Sequence, residues 1–237
     1  MNKVFRVVVL FLALALPGLR AADERAFVWL GEPGVFGAEG EEKASVSVEK
    51  GTLGGPGGEL VFPGESGKGA GKAFVEVEAM GKGLYEELTV ACFLLPLQVN
   101  RREEIFSCLR EEGKGGFRLV SSWGVWRLIV GDGSDRQTLA VRREAPAEHL
   151  KRRRWQHVAA VFDKGKVKLY KNGVLVAHDQ LDVLQISIDH PHVRIGAQAG
   201  RIPPVAHPFA GRMTGIYLAA KALSGEEIGQ LMERSFQ

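Results

Sequence analysis

The sequence predicts an all-β chain, a two-sheet antiparallel β-sandwich closed by one short C-terminal helix. Three observations predict it. First, Trp155-Gln-His-Val-Ala-Ala-Val-Phe-Asp-Lys-Gly-Lys-Val-Lys-Leu-Tyr-Lys-Asn-Gly-Val-Leu-Val-Ala-His178 reads as three short strands joined by two tight turns. Asn172-Gly173 suits positive φ at both central positions, the strongest short-range hairpin signal. Second, short apolar or alternating runs recur through the chain with Gly-rich breaks between them, and no helical pattern intervenes that would build βαβ units. Third, Ser224 followed three residues later by Glu227 fits a capping box and starts the one predicted helix, 225–233.

The elements follow in order. Lys3 and Arg6 precede an apolar run from Val7 to Leu16, broken at Pro17-Gly18 and followed by Ala21-Ala22. Residues 1–22 are therefore read as a secretory signal peptide, too short in its apolar part to span a bilayer. The mature chain is expected in the periplasm or outside the cell, without a membrane span. Residues 25–235 form one domain, with no linker or repeat. Ala26–Leu30, Ala44–Glu49, Glu59–Phe62, Ala73–Glu78 and Glu87–Leu97 read as strands, the last more continuously apolar and so central. Ile105–Leu109, Gly116–Val120, Val125–Val130 and Gln137–Val141 follow, separated by the turn signals Gly113–Gly116, Ser122-Trp-Gly124 and Gly131-Asp-Gly-Ser134. After the meander come a strand ending in Val193-Arg-Ile-Gly196, a Pro-rich loop at 202–208, and Phe209–Ala220.

Composition narrows the function classes. The 237 residues are 45% hydrophobic and 25% charged, which is ordinary for a globular chain, and the net charge of +3 is too small to indicate nucleic-acid binding. Cys92 and Cys108 lie on two predicted strands about the polar loop 98–103; a hairpin there would bring them together. They are expected either as a disulfide in an oxidising compartment or as two buried thiols.

The ordered motifs resemble the concanavalin A-like jelly roll, in particular the laminin G-like group common in exported bacterial proteins. Leu60-Val-Phe62 and Phe74-Val-Glu-Val77 resemble its first paired strands. Leu88–Pro96 resembles its strand with a terminal proline. Trp155–Phe162 with Val167–Gly173 is the most specific signature, and Val193–Gly196, Phe209–Tyr217 and Ala222–Ile228 complete the series. The signature residues are core and turn positions, with Trp155, Val158, Val161, Leu169 and Tyr170 expected to pack the sandwich. Members often carry an Asp-Glu pair after Phe-x-Gly; here that segment is Arg212-Met-Thr-Gly215. The resemblance implies a scaffold that hosts many functions and does not name a ligand.

Candidate sites are few. Glu76 and Glu78 share a strand face, but a glycosidase needs a placed pair of carboxyls, and a solvated outer face explains these two more simply. Asp189-His190-Pro-His192 lacks further metal ligands. Asp132 and Asp135, in Gly131-Asp-Gly-Ser-Asp135, are the candidate calcium ligands, against a plain turn. Lys151, Arg152, Arg153 and Arg154 form a basic run, read as a solvated loop or an anion site for sulfated or uronic-acid polysaccharide. Trp123 sits at a turn where it could stack on a sugar, whereas Trp126 is a core residue. No nucleophile elbow, Ser-His-Asp order or phosphate loop is present. No catalytic residue is assigned and no cofactor is expected, with a calcium ion at the Asp132 turn as the alternative to a plain turn. The expected function is an exported non-enzymatic module binding polysaccharide or an extracellular protein. The alternatives are a structural or adhesive envelope component and a divergent carbohydrate-active enzyme.

Overall fold

The computed structural model describes residues 26–29, 35–37, 45–50, 58–62, 74–78, 80–108, 115–134, 137–139, 149–189, 192–198 and 207–234. The signal-peptide segment and Asp135 lie outside these. Seventeen strands and one helix run in the order β1 (Ala26–Trp29), β2 (Val35–Gly37), β3 (Ser45–Lys50), β4 (Gly58–Phe62), β5 (Val75–Glu78), β6 (Gly83–Tyr85), β7 (Glu87–Pro96), β8 (Arg102–Ser107), β9 (Gly115–Ser122), β10 (Val125–Asp132), β11 (Gln137–Leu139), β12 (Gln156–Asp163), β13 (Lys166–Lys171), β14 (Val174–Gln180), β15 (Ile186–Ile188), β16 (His192–Ile195), β17 (Gly211–Ala219) and α1 (Gly225–Arg234).

Two antiparallel sheets make the sandwich. One runs β14-β13-β12-β7-β17-β4-β3-β2, with β1 also paired to β17; the other runs β11-β10-β9-β8-β16-β5; β15 and β6 form a separate pair. The predicted meander is present as β12-β13-β14, and its turns fall at Lys164-Gly165 and Asn172-Gly173, all four residues at positive φ. Alternation sorts its side chains. Val158, Ala160, Phe162, Val167 and Leu169 join the core between the sheets. Ala159, Val161 and Tyr170 point the other way, with Ala91, Tyr217 and Ala219, and pack against Leu223 and Ile228 at α1. The alanines let the helix sit close to the strands. Its start is locked as the sequence predicted: Ser224 N donates to Glu227 Oε2 at 2.7 Å and Glu227 N donates to Ser224 Oγ at 3.2 Å. Val161 and Tyr170 thus pack the outer, helix-covered face rather than the interior, and Trp155 is half-buried. Among the described residues no helix is long and apolar enough to cross a membrane.

Two expectations are corrected by the topology. Leu60–Phe62 and Phe74–Val77 do not pair with each other: β4 pairs β3 and β17, whereas β5 pairs β16 in the opposite sheet. Cys92 and Cys108 are not bonded; both are free and buried. A hairpin between β7 and β8 would have brought them together, but the chain crosses from one sheet to the other after Pro96. The two thiols enter the core from facing sheets rather than from paired strands of one hairpin. Burial pushes the Cys108 thiol up to about 12 and Cys92 further still, so both are protonated at any ordinary pH.

Candidate functional site

One end of the sandwich gathers residues far apart in sequence. β9 and β10 pair in register from Ser122↔Val125 to Gly115↔Asp132, so the turn between them has only two residues, Trp123 and Gly124. Their φ values are 52° and 79°. Such a turn needs the left-handed region twice, which glycine accepts freely and a bulky side chain does not. Trp123 nonetheless occupies it, with 69% of its surface exposed, while Trp126 is 4% exposed in the core. Gly124 is needed for a second reason. A Cβ there would lie 3.2 Å from Leu150 O and 3.3 Å from His149 Cβ. The 149–154 loop is that close because Leu150 N donates to Gly124 O at 2.8 Å and the Leu150 side chain anchors in the core.

The basic run follows directly. Buried Gln156 clamps it: its Oε1 accepts from Lys151 N at 2.8 Å, and its Nε2 donates to Lys151 O at 2.9 Å and Arg154 O at 3.1 Å. Arg153, at φ 56°, donates its N–H to Pro96 O at 2.7 Å, and Arg152 Nε donates to Leu97 O at 2.6 Å. Trp123 N donates to Arg101 O at 3.3 Å. The β7–β8 crossing, the β9–β10 turn and the basic loop therefore form one hydrogen-bonded rim. Lys151 to Arg154 are all exposed, and no carboxylate pairs with Arg152, Arg153 or Arg154 among the described residues.

Next to this rim lie two buried carboxyls, one of which, Glu103, falls in the polar loop 98–103 of the sequence reading. Glu103 and Glu104 belong to β8 and are 1% and 0% exposed. As neighbours on a strand they point to opposite faces. Glu103 Oε1 accepts from Gln98 Nε2 at 3.1 Å and Ala210 N at 3.2 Å, and stands 3.8 Å from Arg101 Nε. Burial outweighs these contacts and raises its carboxyl to about 7. Glu104 Oε1 lies 2.7 Å from Arg102 Nη2 and 3.9 Å from Arg118 Nη1; burial raises this carboxyl too, against the pull of the two guanidinium groups. A third buried group, His157, opposes Phe93 in register with ring centroids 4.9 Å apart. Neither ring nitrogen has a hydrogen-bond partner, and burial lowers the imidazole to about 4.

The proposed calcium turn is elsewhere. Asp132 ends β10, seven residues from Val125, or roughly 24 Å along the strand from the Trp123 turn. Its Oδ1 accepts from Ser134 N at 2.8 Å. With Glu86, Lys164, Asp182, Leu84 and Leu184 it lines an open cleft of about 530 Å³. Among the described residues no three His, Cys, Asp or Glu side chains are grouped to hold a metal ion.

The profile described as concanavalin A-like lectin/glucanases superfamily, of laminin G type, matches residues 69–229. The chain belongs to that superfamily. No curated protein matches it in sequence. Among solved structures it is similar to domain 4 of AbnA, a GH43 extracellular arabinanase from Geobacillus stearothermophilus, in complex with arabinotriose: TM-score 0.60, 18% identity, 85% of this chain and 88% of that one covered. A native heptameric SAP-like pentraxin from Limulus polyphemus gives TM-score 0.54 and 19% identity over 73% of this chain and 81% of that one. The botulinum neurotoxin serotype G binding domain gives 0.58 and 9% over 85% of this chain and 46% of that one. The chain spans about half the length of such neurotoxin binding domains. At these identities the likeness is one of fold.

Within this superfamily member, the outer face of the β5–β11 sheet carries Arg102, Glu104, Ser107, Arg118, Arg127 and Arg194 by alternation from the paired strands. Hydrolysis of a glycosidic bond needs two carboxyls facing it, roughly 5–10 Å apart. Glu103 and Glu104 cannot serve together, since they lie on opposite faces of β8. Glu76 and Glu78 of β5 stand opposite Arg194 and His192 in register. At the segment where the family often has its acidic pair, Arg212 Nη1 instead meets buried Glu59 Oε2 at 3.0 Å, so the charge sign of that position is reversed.

Proposed function

We propose that this protein is an exported, non-catalytic carbohydrate-binding module whose contact surface is the rim built from Trp123, the 151–154 loop and the 97–101 crossing. The observation that carries the reading is Trp123: a large aromatic ring, 69% exposed, held in a left-handed turn where a small polar residue or glycine would be less strained. An indole face so presented fits the apolar face of a sugar ring. The arabinanase domain in complex with arabinotriose and the neurotoxin binding domains support a binding role for this scaffold. The opposed directions of Glu103 and Glu104 support a non-catalytic one.

A glycan array followed by calorimetry on the strongest hits tests the proposal. Covering roughly 80 Å² of indole at about 25 cal/mol per Å² contributes about 2 kcal/mol, so Trp123→Ala should weaken binding about thirtyfold. Unchanged affinity in a folded Trp123→Ala protein would remove the rim as the site, and release of new reducing ends from any hit would overturn the non-catalytic reading. Export is tested by N-terminal sequencing of protein recovered outside the cytoplasm, which should begin just after Ala21 or Ala22.

A further inference from the structure

We propose that the ligand of this rim is an acidic polysaccharide, held through its sulfate or carboxylate groups by Arg152, Arg153 and Arg154 together with Lys151, while Trp123 stacks on an adjoining ring. The inference rests on the carbohydrate reading above and names the class of glycan.

Four consecutive cations in an exposed loop repel one another, and the usual outcome is a solvated segment whose side chains spread apart. Here the backbone is fastened instead. Gln156 spends its whole amide on Lys151 and Arg154. Arg153 is tied through its N–H to Pro96 O in a left-handed conformation that a branched, charged side chain does not favour. Arg152 is fixed at Nε by Leu97 O, a bond that does not use its two terminal nitrogens. These bonds hold the backbone, and the Arg152, Arg153 and Arg154 side chains are exposed with no carboxylate paired to them among the described residues. Two described acids at this end are turned away from the loop: Glu103 and Glu104 are buried on β8 and engaged by Gln98, Ala210, Arg101, Arg102 and Arg118.

A rigid cluster of guanidinium groups recognises planar or tetrahedral oxyanions with little further ordering, because arginine offers paired donors in a fixed fork. Sulfate esters and uronate carboxylates share that chemistry. The neighbouring tryptophan selects a polymer that also presents a ring face. Single-stranded nucleic acid presents both, but its binding surfaces stack successive bases on several aromatics. Among the described residues this rim exposes one.

The test compares heparin, polygalacturonate and a carboxyl-reduced polygalacturonate in parallel, with single-stranded DNA and anionic phospholipid vesicles as controls. Arg153→Asn/Arg154→Gln is the key variant, since asparagine accepts the left-handed backbone; thermal unfolding verifies its fold. Lys166→Gln/Lys168→Gln removes two exposed charges from β13 instead. Binding to heparin or polygalacturonate should fall about tenfold in the first variant, stay unchanged in the second, and weaken steeply with salt. Loss of binding on carboxyl reduction assigns the site to uronates, and binding to heparin alone assigns it to sulfate esters. Equal binding to the reduced polymer would overturn the acidic class while leaving the carbohydrate reading intact. Binding to none of the glycans would overturn both. Affinity for DNA or vesicles matching that for the glycans would overturn the polysaccharide assignment.

Discussion

Glu103 and His157 make stability depend on pH in opposite senses, and single substitutions should separate the two. Burial raises the Glu103 carboxyl from 4.5 to about 7, so the folded chain prefers it protonated. Between those values the unfolded chain has released the proton and the folded chain has not. Its contribution is therefore fully present below pH 4.5 and is lost as pH rises to about 7, by about 3 kcal/mol. His157 runs the other way. Burial lowers it from 6.5 to about 4, so the unfolded chain takes up a proton that the folded chain refuses. Its contribution is complete above pH 6.5 and is lost, again by about 3 kcal/mol, as pH falls to about 4. From pH 4.5 to 6.5 the two slopes cancel, which masks both in the unaltered protein. Urea unfolding at half-unit pH steps should resolve them. Subtracting Glu103→Gln from wild type should leave a difference that falls by about 3 kcal/mol between pH 4.5 and 7. Subtracting His157→Phe, which keeps an aromatic against Phe93, should leave one that rises by the same amount between pH 4 and 6.5. Parallel curves for wild type and either variant would refute the corresponding burial argument.

Further outcomes follow from the packing. A thiol reagent should find no fast-reacting cysteine in the native protein and two after denaturation, and reductant should leave the melting temperature unchanged; a reductant-sensitive melt would mean that Cys92 and Cys108 are bonded after all. Ser224→Ala removes one half of the reciprocal cap and should cost about 1 kcal/mol, read as a fall of about 3 °C in the melt. Gly196→Ala should cost about 3 kcal/mol or prevent folding, because Gly196 sits at φ 85° and a Cβ would run into the Phe62 ring. Trp123→Gly should raise stability by several tenths of a kcal/mol in urea unfolding while weakening glycan binding about as much as Trp123→Ala, the trade expected of strain held at a functional turn.

The strands of the meander were legible because a β-hairpin is local: Asn172-Gly173 specifies its turn without help from distant residues. The capping box was legible for the same reason. What the sequence does not carry is which strands share a sheet. Cys92 and Cys108 sit symmetrically about a polar loop, and nothing local distinguishes a hairpin from a crossing between sheets. Glu103 was read as loop because charge normally marks solvent; the burial of Glu103 and its neighbour Glu104 depends in part on Arg118 and Ala210, which other parts of the fold supply. Trp123 and the Lys151–Arg154 run were each visible as a candidate. Their adjacency depends on long-range bonds, Leu150 N to Gly124 O and those that tie both segments to the 96–101 crossing, across sequence gaps with no pattern of their own. The β9–β10 hairpin puts Asp132 at the far end of β10 from the Trp123 turn and so away from the basic loop.

The crossing between Pro96 and Arg102 has a mechanical consequence. It is a covalent strap between the two sheets, and Leu97 O, Pro96 O and Arg101 O receive the hydrogen bonds that seat Arg152, Arg153 and Trp123. Any sliding of one sheet over the other would have to distort that strap first. The rim is tied to that strap, so groups mounted on it keep their mutual spacing. A repeating polymer laid across it would meet a ruler of fixed length.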